Sequence, residues 1–123
     1  MSKPLALIVE DNQDVALIFG EAVKEAGFEI EIVSSGDRAL VRLSEVVPEL
    51  VILDLHLPQV QGADILESIR DDSRLDGTHV IVATADSRKA ETLHERADLV
   101  LLKPIGYHQL RDLAARFGVD GPR

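Results

Sequence analysis

Five polar side chains directly follow apolar runs of this sequence, and their types are suited to binding a cation and to nucleophilic chemistry. In chain order they are Glu10, Asp11, Asp54, Thr84 and Lys103. A charged side chain at the end of a buried strand costs free energy unless a partner or a ligand compensates it. Asp54 poses this problem most clearly, because it follows the apolar run 50–53 without a break.

The elements that must position these residues alternate regularly along the chain. Continuous apolar runs predict strands at residues 5–9, 50–53, 80–83 and 99–102, and period-two alternation predicts one at 29–33. Apolar residues at helical spacing predict helices within residues 15–26, 39–43, 65–69 and 110–117, Gly27 is placed to end the first helix, and residues 87–96 are a short, polar helix candidate. The pattern predicts an α/β fold of the (βα)5 type, a doubly wound five-stranded parallel sheet with helices on both faces.

The predicted fold brings the five polar residues together, because the carboxyl ends of parallel strands meet at one edge of the sheet. Three adjacent carboxylates cannot all stay ionised without a compensating cation. Lys103 would compensate one of them, and a hard divalent ion such as Mg²⁺ would compensate the rest. Asp54 would then be held ionised, both to bind the metal and to act as a nucleophile.

Each of these residues has an ordinary explanation when taken alone. Asp11 could cap a helix, Thr84 could form a turn, and Lys103-Pro104 is a common loop dipeptide. Their joint occurrence at the ends of the correct strands favours a functional site.

Length and composition restrict the classes of protein. The 123 residues fit one domain, 1–123, with a core at 5–117 and with 118–123 as a tail or the start of a linker. A net charge of −9 argues against nucleic-acid binding by this domain. The sequence has no cysteine and no apolar run of about 20 residues, the length that spans a membrane, so we expect a cytoplasmic location.

Four short segments resemble the receiver domain of two-component response regulators. They are VEDN (9–12), LDLHLPQVQG (53–62), VATA (82–85) and LKP (102–104). The resemblance extends over residues 5–117. It implies a flavodoxin-like strand order, 2-1-3-4-5, and a cis proline after Lys103.

The resemblance also implies a magnesium site. Asp54 corresponds to the phosphoacceptor of the family, and Asp11, Asp54 and the backbone carbonyl of His56 would ligate Mg²⁺. Glu10 would act on the same ion through a water molecule.

The roles of the remaining residues follow from the same resemblance. Thr84 would donate its hydroxyl to a phosphoryl oxygen, and Lys103 would neutralise the transferred group. His56 and Asp86 occupy the positions that flank the phosphoryl group and tune attack by water. The expected function is a phosphorylation-controlled signalling switch. It would not be a conventional enzyme, but it would catalyse its own phosphorylation by a histidine kinase or phosphotransfer protein, and its own dephosphorylation, and then signal to an unknown protein target.

Two features depart from the family pattern. Val100 stands where the family usually has Tyr or Phe, although Tyr107 lies nearby. Only 19 positions separate Thr84 from Lys103, about three fewer than is usual and close to one helical turn, so the fourth helix or its loop should be short.

These departures leave a second function open, a receiver-like interaction module that ignores phosphorylation. An aspartyl phosphatase of the haloacid-dehalogenase type is a third possibility. It is disfavoured because His56 replaces that family's second acid and because the chain has no room for a substrate-binding cap.

Overall fold

All five predicted strands and all five predicted helices are present in the computed structural model, which describes residues 3–118. In chain order the elements are β1 (Leu5–Val9), α1 (Gln13–Glu25), β2 (Glu29–Val33), α2 (Gly36–Glu45), β3 (Leu50–Asp54), α3 (Gly62–Asp71), a 3₁₀ turn (Ser73–Leu75), β4 (His79–Thr84), α4 (Ser87–Leu93), β5 (Leu99–Leu102) and α5 (Tyr107–Ala115). Of the predicted tail, only Gly118 falls within the described residues. The 3₁₀ turn was not predicted.

The strands form one parallel sheet in the order β2-β1-β3-β4-β5, which confirms the predicted topology. The register aligns Val9 with Leu53 across β1 and β3, and Asp54 with Ala83 across β3 and β4. Thr84 is aligned with Leu102 across β4 and β5. The carboxyl ends of these four strands therefore finish at the same level.

The two faces of the sheet carry separate apolar cores. On one face α2 and α3 pack against side chains that include Val51 and Leu53, and on the other α1 and α5 pack against side chains that include Leu50 and Ile52. The strand β3 is therefore buried on both faces. Each such aliphatic side chain contributes about 1.5–3 kcal/mol when fully buried, so the strand that carries Asp54 is a rigid support.

The helices α4 and α5 end before the limits predicted from the sequence, and α5 ends at Ala115 rather than at 117. The helix α1 ends at Glu25, and Gly27 follows with φ of 107°, as predicted. The predicted helix at 87–96 is wrong at its end, because α4 stops at Leu93 after seven residues, none of them buried. The expected shortening of this helix is thus confirmed. Among the described residues, no helix is both long and apolar enough to cross a bilayer.

A polar cluster around Asp98 lies at the amino-terminal ends of β4 and β5. The Asp98 carboxylate accepts hydrogen bonds from the Val80 amide at 2.7 Å and from Arg70 Nη2 at 3.0 Å, and its other oxygen lies 3.2 Å from His79 Nδ1. Burial tends to raise the pKa of Asp98, but the Val80 amide, His79 and Arg70 together lower it. The cluster joins the starts of β4 and β5 to the end of α3.

Candidate functional site

The carboxyl edge of the sheet brings together the five residues predicted from the sequence. Glu10 and Asp11 follow β1, and Asp54 ends the neighbouring β3. Carboxylate oxygens of these three residues lie within 4.8 Å of one another. Thr84 ends β4 beside them, and Lys103 follows β5 and reaches the same cluster. The strand order therefore assembles the site from four elements.

The Lys103 ammonium compensates the two buried carboxylates. Its Nζ lies 2.8 Å from Glu10 Oε1 and 3.6 Å from Asp54 Oδ1. Glu10 is 2% exposed and Asp54 is 3% exposed, whereas the Lys103 side chain is 25% exposed. Without a cationic partner, a carboxyl group buried this deeply would strongly favour its neutral form or would require a bound cation.

The pKa values of Glu10 and Lys103 are both raised above their ordinary values. Burial raises the pKa of Glu10 and outweighs the hydrogen bonds from Lys103 and the Asn12 amide, while the negative charge of Asp54 raises it further. Burial alone would lower the pKa of Lys103, but its hydrogen bond to Glu10 and the charges of Asp54 and Glu10 raise it. Three carboxylates and one ammonium leave negative charge in excess in this cluster, so a bound cation would be stabilised there.

Thr84 ends β4, the strand next to the one that Asp54 ends. The side chain is fully buried, and its Oγ1 accepts a hydrogen bond from the Asp86 amide at 3.0 Å. A hydroxyl can accept and donate at the same time. The bond from Asp86 fixes the oxygen while leaving the O–H hydrogen to donate to a ligand.

Asp11 is exposed and is not needed as a helix cap. Asn12, which the sequence motif included without a role, caps α1 by accepting a hydrogen bond from the Val15 amide at 3.0 Å. The Asn12 amide in turn donates to Glu10 Oε2 at 3.2 Å. The signal for this cap was present in the sequence, since Asn is a preferred residue immediately before a helix.

His56 and Asp86 flank the site but do not pair in this structure. The His56 side chain is exposed, and its backbone amide donates to Asp54 Oδ1 at 3.1 Å. Asp86 caps α4, because its Oδ1 accepts from the amides of Arg88 at 2.9 Å and Lys89 at 3.3 Å. The sequence analysis missed both of these backbone contacts.

Comparison with known proteins decides the family. The sequence matches the response regulator receiver domain over residues 6–115. The chain belongs to this family. Receiver domains of this kind are the phosphorylation-controlled switches of two-component systems.

The similarity extends to named relatives of this receiver domain. It is 30% identical over 110 residues to the phosphate regulon transcriptional regulatory protein PhoB of Rhizobium meliloti, covering 87% of this chain and 48% of PhoB. It is 34% identical over 114 residues to the autoinducer 2 sensor kinase/phosphatase LuxQ of Vibrio vulnificus, covering 90% of this chain and 13% of LuxQ. The chain thus spans half or less of the length of these relatives.

Solved structures share the fold. A CheY-like response regulator receiver domain from Methylobacillus flagellatus has a TM-score of 0.83 at 28% identity, covering 94% of this chain and 99% of that one. The chemotaxis response regulator CheY4 of Vibrio cholerae has a TM-score of 0.85 at 21% identity, with coverage of 94% and 99%.

This receiver domain has no aromatic ring on β5. Val100 is partly buried and packs against the core on the α2 and α3 face. Tyr107 does not take the place of the missing ring, since its hydroxyl donates to the Glu25 carboxylate and lies 3.3 Å from the Glu21 carbonyl of α1. Tyr107 therefore ties α5 to α1.

Proposed function

We propose that Asp54 accepts a phosphoryl group from a phosphohistidine of a partner kinase or phosphotransfer protein. In this step a carboxylate oxygen of Asp54 forms a bond to phosphorus while the phosphorus–nitrogen bond breaks, and the electron pair of that bond stays on the departing imidazole. The observation that carries the proposal is the placement of Asp54, which is 3% exposed and lies beside Lys103 and two further acids. This environment keeps the nucleophile fixed and compensated.

The acidic cluster fits a bound Mg²⁺. Three carboxylates within 4.8 Å of one another offer the hard oxygen ligands that this ion prefers, and one nearby ammonium leaves negative charge in excess. Asp11, Asp54 and the backbone carbonyl of His56 would hold the ion, with Glu10 acting through a water molecule. When bound, the ion would reduce repulsion between the Asp54 carboxylate and the incoming phosphoryl oxygens.

Thr84 and Lys103 would stabilise the transferred group. The Thr84 hydroxyl is held by the Asp86 amide and can donate its hydrogen to a phosphoryl oxygen. Lys103 already lies 3.6 Å from Asp54 and can shift its ammonium toward a phosphoryl group added there. Fixed donors of this kind act on the charge that develops on the equatorial oxygens during phosphoryl transfer.

The same residues would make the domain catalyse both its phosphorylation and its dephosphorylation, although it is not a conventional enzyme. Loss of the group requires in-line attack by water at phosphorus. His56 and Asp86 flank the site, and we expect the exposed imidazole to restrict the approach of water.

The partners follow from the same chemistry. We expect a cytoplasmic location for this domain, a histidine kinase or phosphotransfer protein as donor, and a protein, rather than nucleic acid, as its target. The related LuxQ is a sensor kinase/phosphatase and the related PhoB is a transcriptional regulatory protein, which supports a place in two-component signalling.

Incubation with Mg²⁺ and a small acyl phosphate tests the proposal. The wild-type protein should gain the mass of one phosphoryl group, and Asp54→Asn, which keeps the shape of the side chain, should gain none. Asp76→Asn is the matched control, because Asp76 is exposed and precedes the start of β4, at the other end of that strand from Thr84. Equal phosphorylation of Asp54→Asn and wild type would refute the assignment.

A further inference from the structure

The loop that leaves β3, residues 55–61 and here called the β3–α3 loop, is fixed to Asp54 at its base. The Gly62 amide donates to the Leu55 carbonyl at 3.2 Å. A Cβ atom on Gly62 would lie 2.4 Å from the Asp54 carbonyl oxygen and 2.6 Å from Leu55 Cα, so only glycine permits this approach. The His56 amide also donates to Asp54 Oδ1. A change at the Asp54 carboxylate therefore directly alters a hydrogen bond made by the loop backbone.

The middle of the loop is strained. Gln59 has φ of 72°, and it is the only residue other than glycine with positive φ among residues 3–118. It is the central residue of a γ-turn, because the Val60 amide donates to the Pro58 carbonyl at 2.8 Å. Glutamine gains nothing from this conformation, so the surrounding structure must hold it in place. Leu57, which is buried, anchors the turn from one side.

Val60, near the end of the loop, lies against the first residue of α2. A Cβ atom on Gly36 would lie 2.8 Å from Val60 Cβ and 2.9 Å from the Val60 carbonyl oxygen. Gly36 is the first residue of α2, and the Ala39 amide donates to the Ser35 carbonyl at 3.1 Å in the first turn of this helix. Val60 and the α2 backbone thus touch without any side chain between them.

We propose that the β3–α3 loop transmits the state of Asp54 to the first turn of α2. Phosphorylation changes the acceptor that faces the His56 amide, the strained turn at Gln59 relaxes, and Val60 withdraws from Gly36. This route does not need the aromatic ring that β5 lacks at Val100. The inference rests on the proposed function, because it takes phosphorylation of Asp54 as its input.

The exchange rate of the Ala39 amide with solvent, measured by NMR, tests the route. Release of the strain of one residue other than glycine at positive φ shifts a conformational equilibrium by about fivefold or more. Phosphorylation with Mg²⁺ and an acyl phosphate should therefore speed Ala39 exchange in the wild type by at least about fivefold. Val60→Gly removes the Cβ atom that faces Gly36, so exchange should be fast before phosphorylation and should change less than about twofold. Val47→Gly is the matched control, at an exposed valine outside the loop, and should keep the full response.

Gln59→Gly separates strain from simple contact. Glycine adopts positive φ without strain, so phosphorylation releases no strain at this turn. The change in the Ala39 exchange rate on phosphorylation should therefore fall to less than half of the wild-type change. An unchanged Ala39 rate in phosphorylated wild type, or a full response in Val60→Gly, would overturn the proposal.

Intact mass, read on the same samples, keeps the two proposals distinct. Absence of phosphorylation would refute the proposed function, whereas phosphorylation without a response in α2 would refute only the transmission route. Equal Ala39 exchange in unphosphorylated wild type and Val60→Gly would refute a role for this contact.

Discussion

Replacing Lys103 with methionine should destabilise the protein in a way that depends on pH. The substitution keeps most of the apolar stem but removes the ammonium 2.8 Å from Glu10 and 3.6 Å from Asp54. Breaking a buried ion pair typically costs about 3–5 kcal/mol, and the partial exposure of Lys103 places the expected loss near about 3 kcal/mol. That is a large fraction of the stability of an ordinary domain.

The sign of the pH dependence follows from Glu10. Its pKa is already raised above 4.5, and loss of the hydrogen bond from Lys103 must raise it further. A raised carboxyl pKa stabilises the folded state at low pH, and this stabilisation is lost as pH rises through the folded value. The cost of Lys103→Met should therefore be greatest at neutral pH and should shrink as pH falls toward the ordinary value of 4.5.

Urea denaturation in a chelating buffer measures this effect. With a slope of about 1–3 kcal/mol per molar urea, the midpoint should fall by about 1–3 M at neutral pH. The double variant Glu10→Gln/Lys103→Met should recover at least half of the loss, because it removes one of the two uncompensated charges. A loss below about 1 kcal/mol, or one that does not vary with pH, would refute the reasoning, since it would place the pair in the class of exposed ion pairs.

Three further predictions concern other residues. Asp11→Ala should weaken Mg²⁺ binding, measured by calorimetry, because it removes a ligand. It should not lower the stability of the metal-free protein, because it also relieves repulsion within the acidic cluster. An unchanged Mg²⁺ affinity would show that the metal site is misplaced. His56→Ala should speed loss of the phosphoryl group by up to about fivefold, because the exposed imidazole restricts the approach of water; equal rates for the two proteins would leave His56 no gating role. Asp98→Asn should cost about 1.5–3 kcal/mol of unfolding free energy at neutral pH, because Asp98 accepts charged hydrogen bonds. Because the folded pKa of Asp98 lies below 3.8, that contribution is lost as pH falls through the folded value, and an undiminished difference between the two proteins in acid would contradict this.

The sheet and the strand ends could be predicted because their signals are local. Buried parallel strands read as continuous apolar runs, and the run 50–53 is followed at once by Asp54. Once the strand order was inferred, the meeting of Glu10, Asp54 and Lys103 followed from geometry, and the ion pairs among them agree with it. Residues 93 apart along the chain were brought together by topology alone.

Other features depend on contacts that the sequence does not reveal. The 3₁₀ turn at 73–75 contains a single apolar residue, Leu75, too little for a periodic pattern. The positive φ of Gln59 could not be predicted, because glutamine has no preference for it and the conformation is imposed by neighbouring packing. The direction of Tyr107 depends on Glu25, which lies 82 residues earlier on α1. Each of these features is decided by tertiary structure.

Chemical mapping of the phosphorylated residue tests the central proposal most directly. An acyl phosphate on an aspartate is reduced by borohydride to homoserine, so the site remains marked after proteolysis. Peptide mass spectrometry of the wild-type protein, phosphorylated with Mg²⁺ and an acyl phosphate, should find homoserine at position 54, and an unphosphorylated sample should show none. Homoserine at Asp11 or at another aspartate, with position 54 unmodified, would contradict the proposal that Asp54 is the phosphoacceptor.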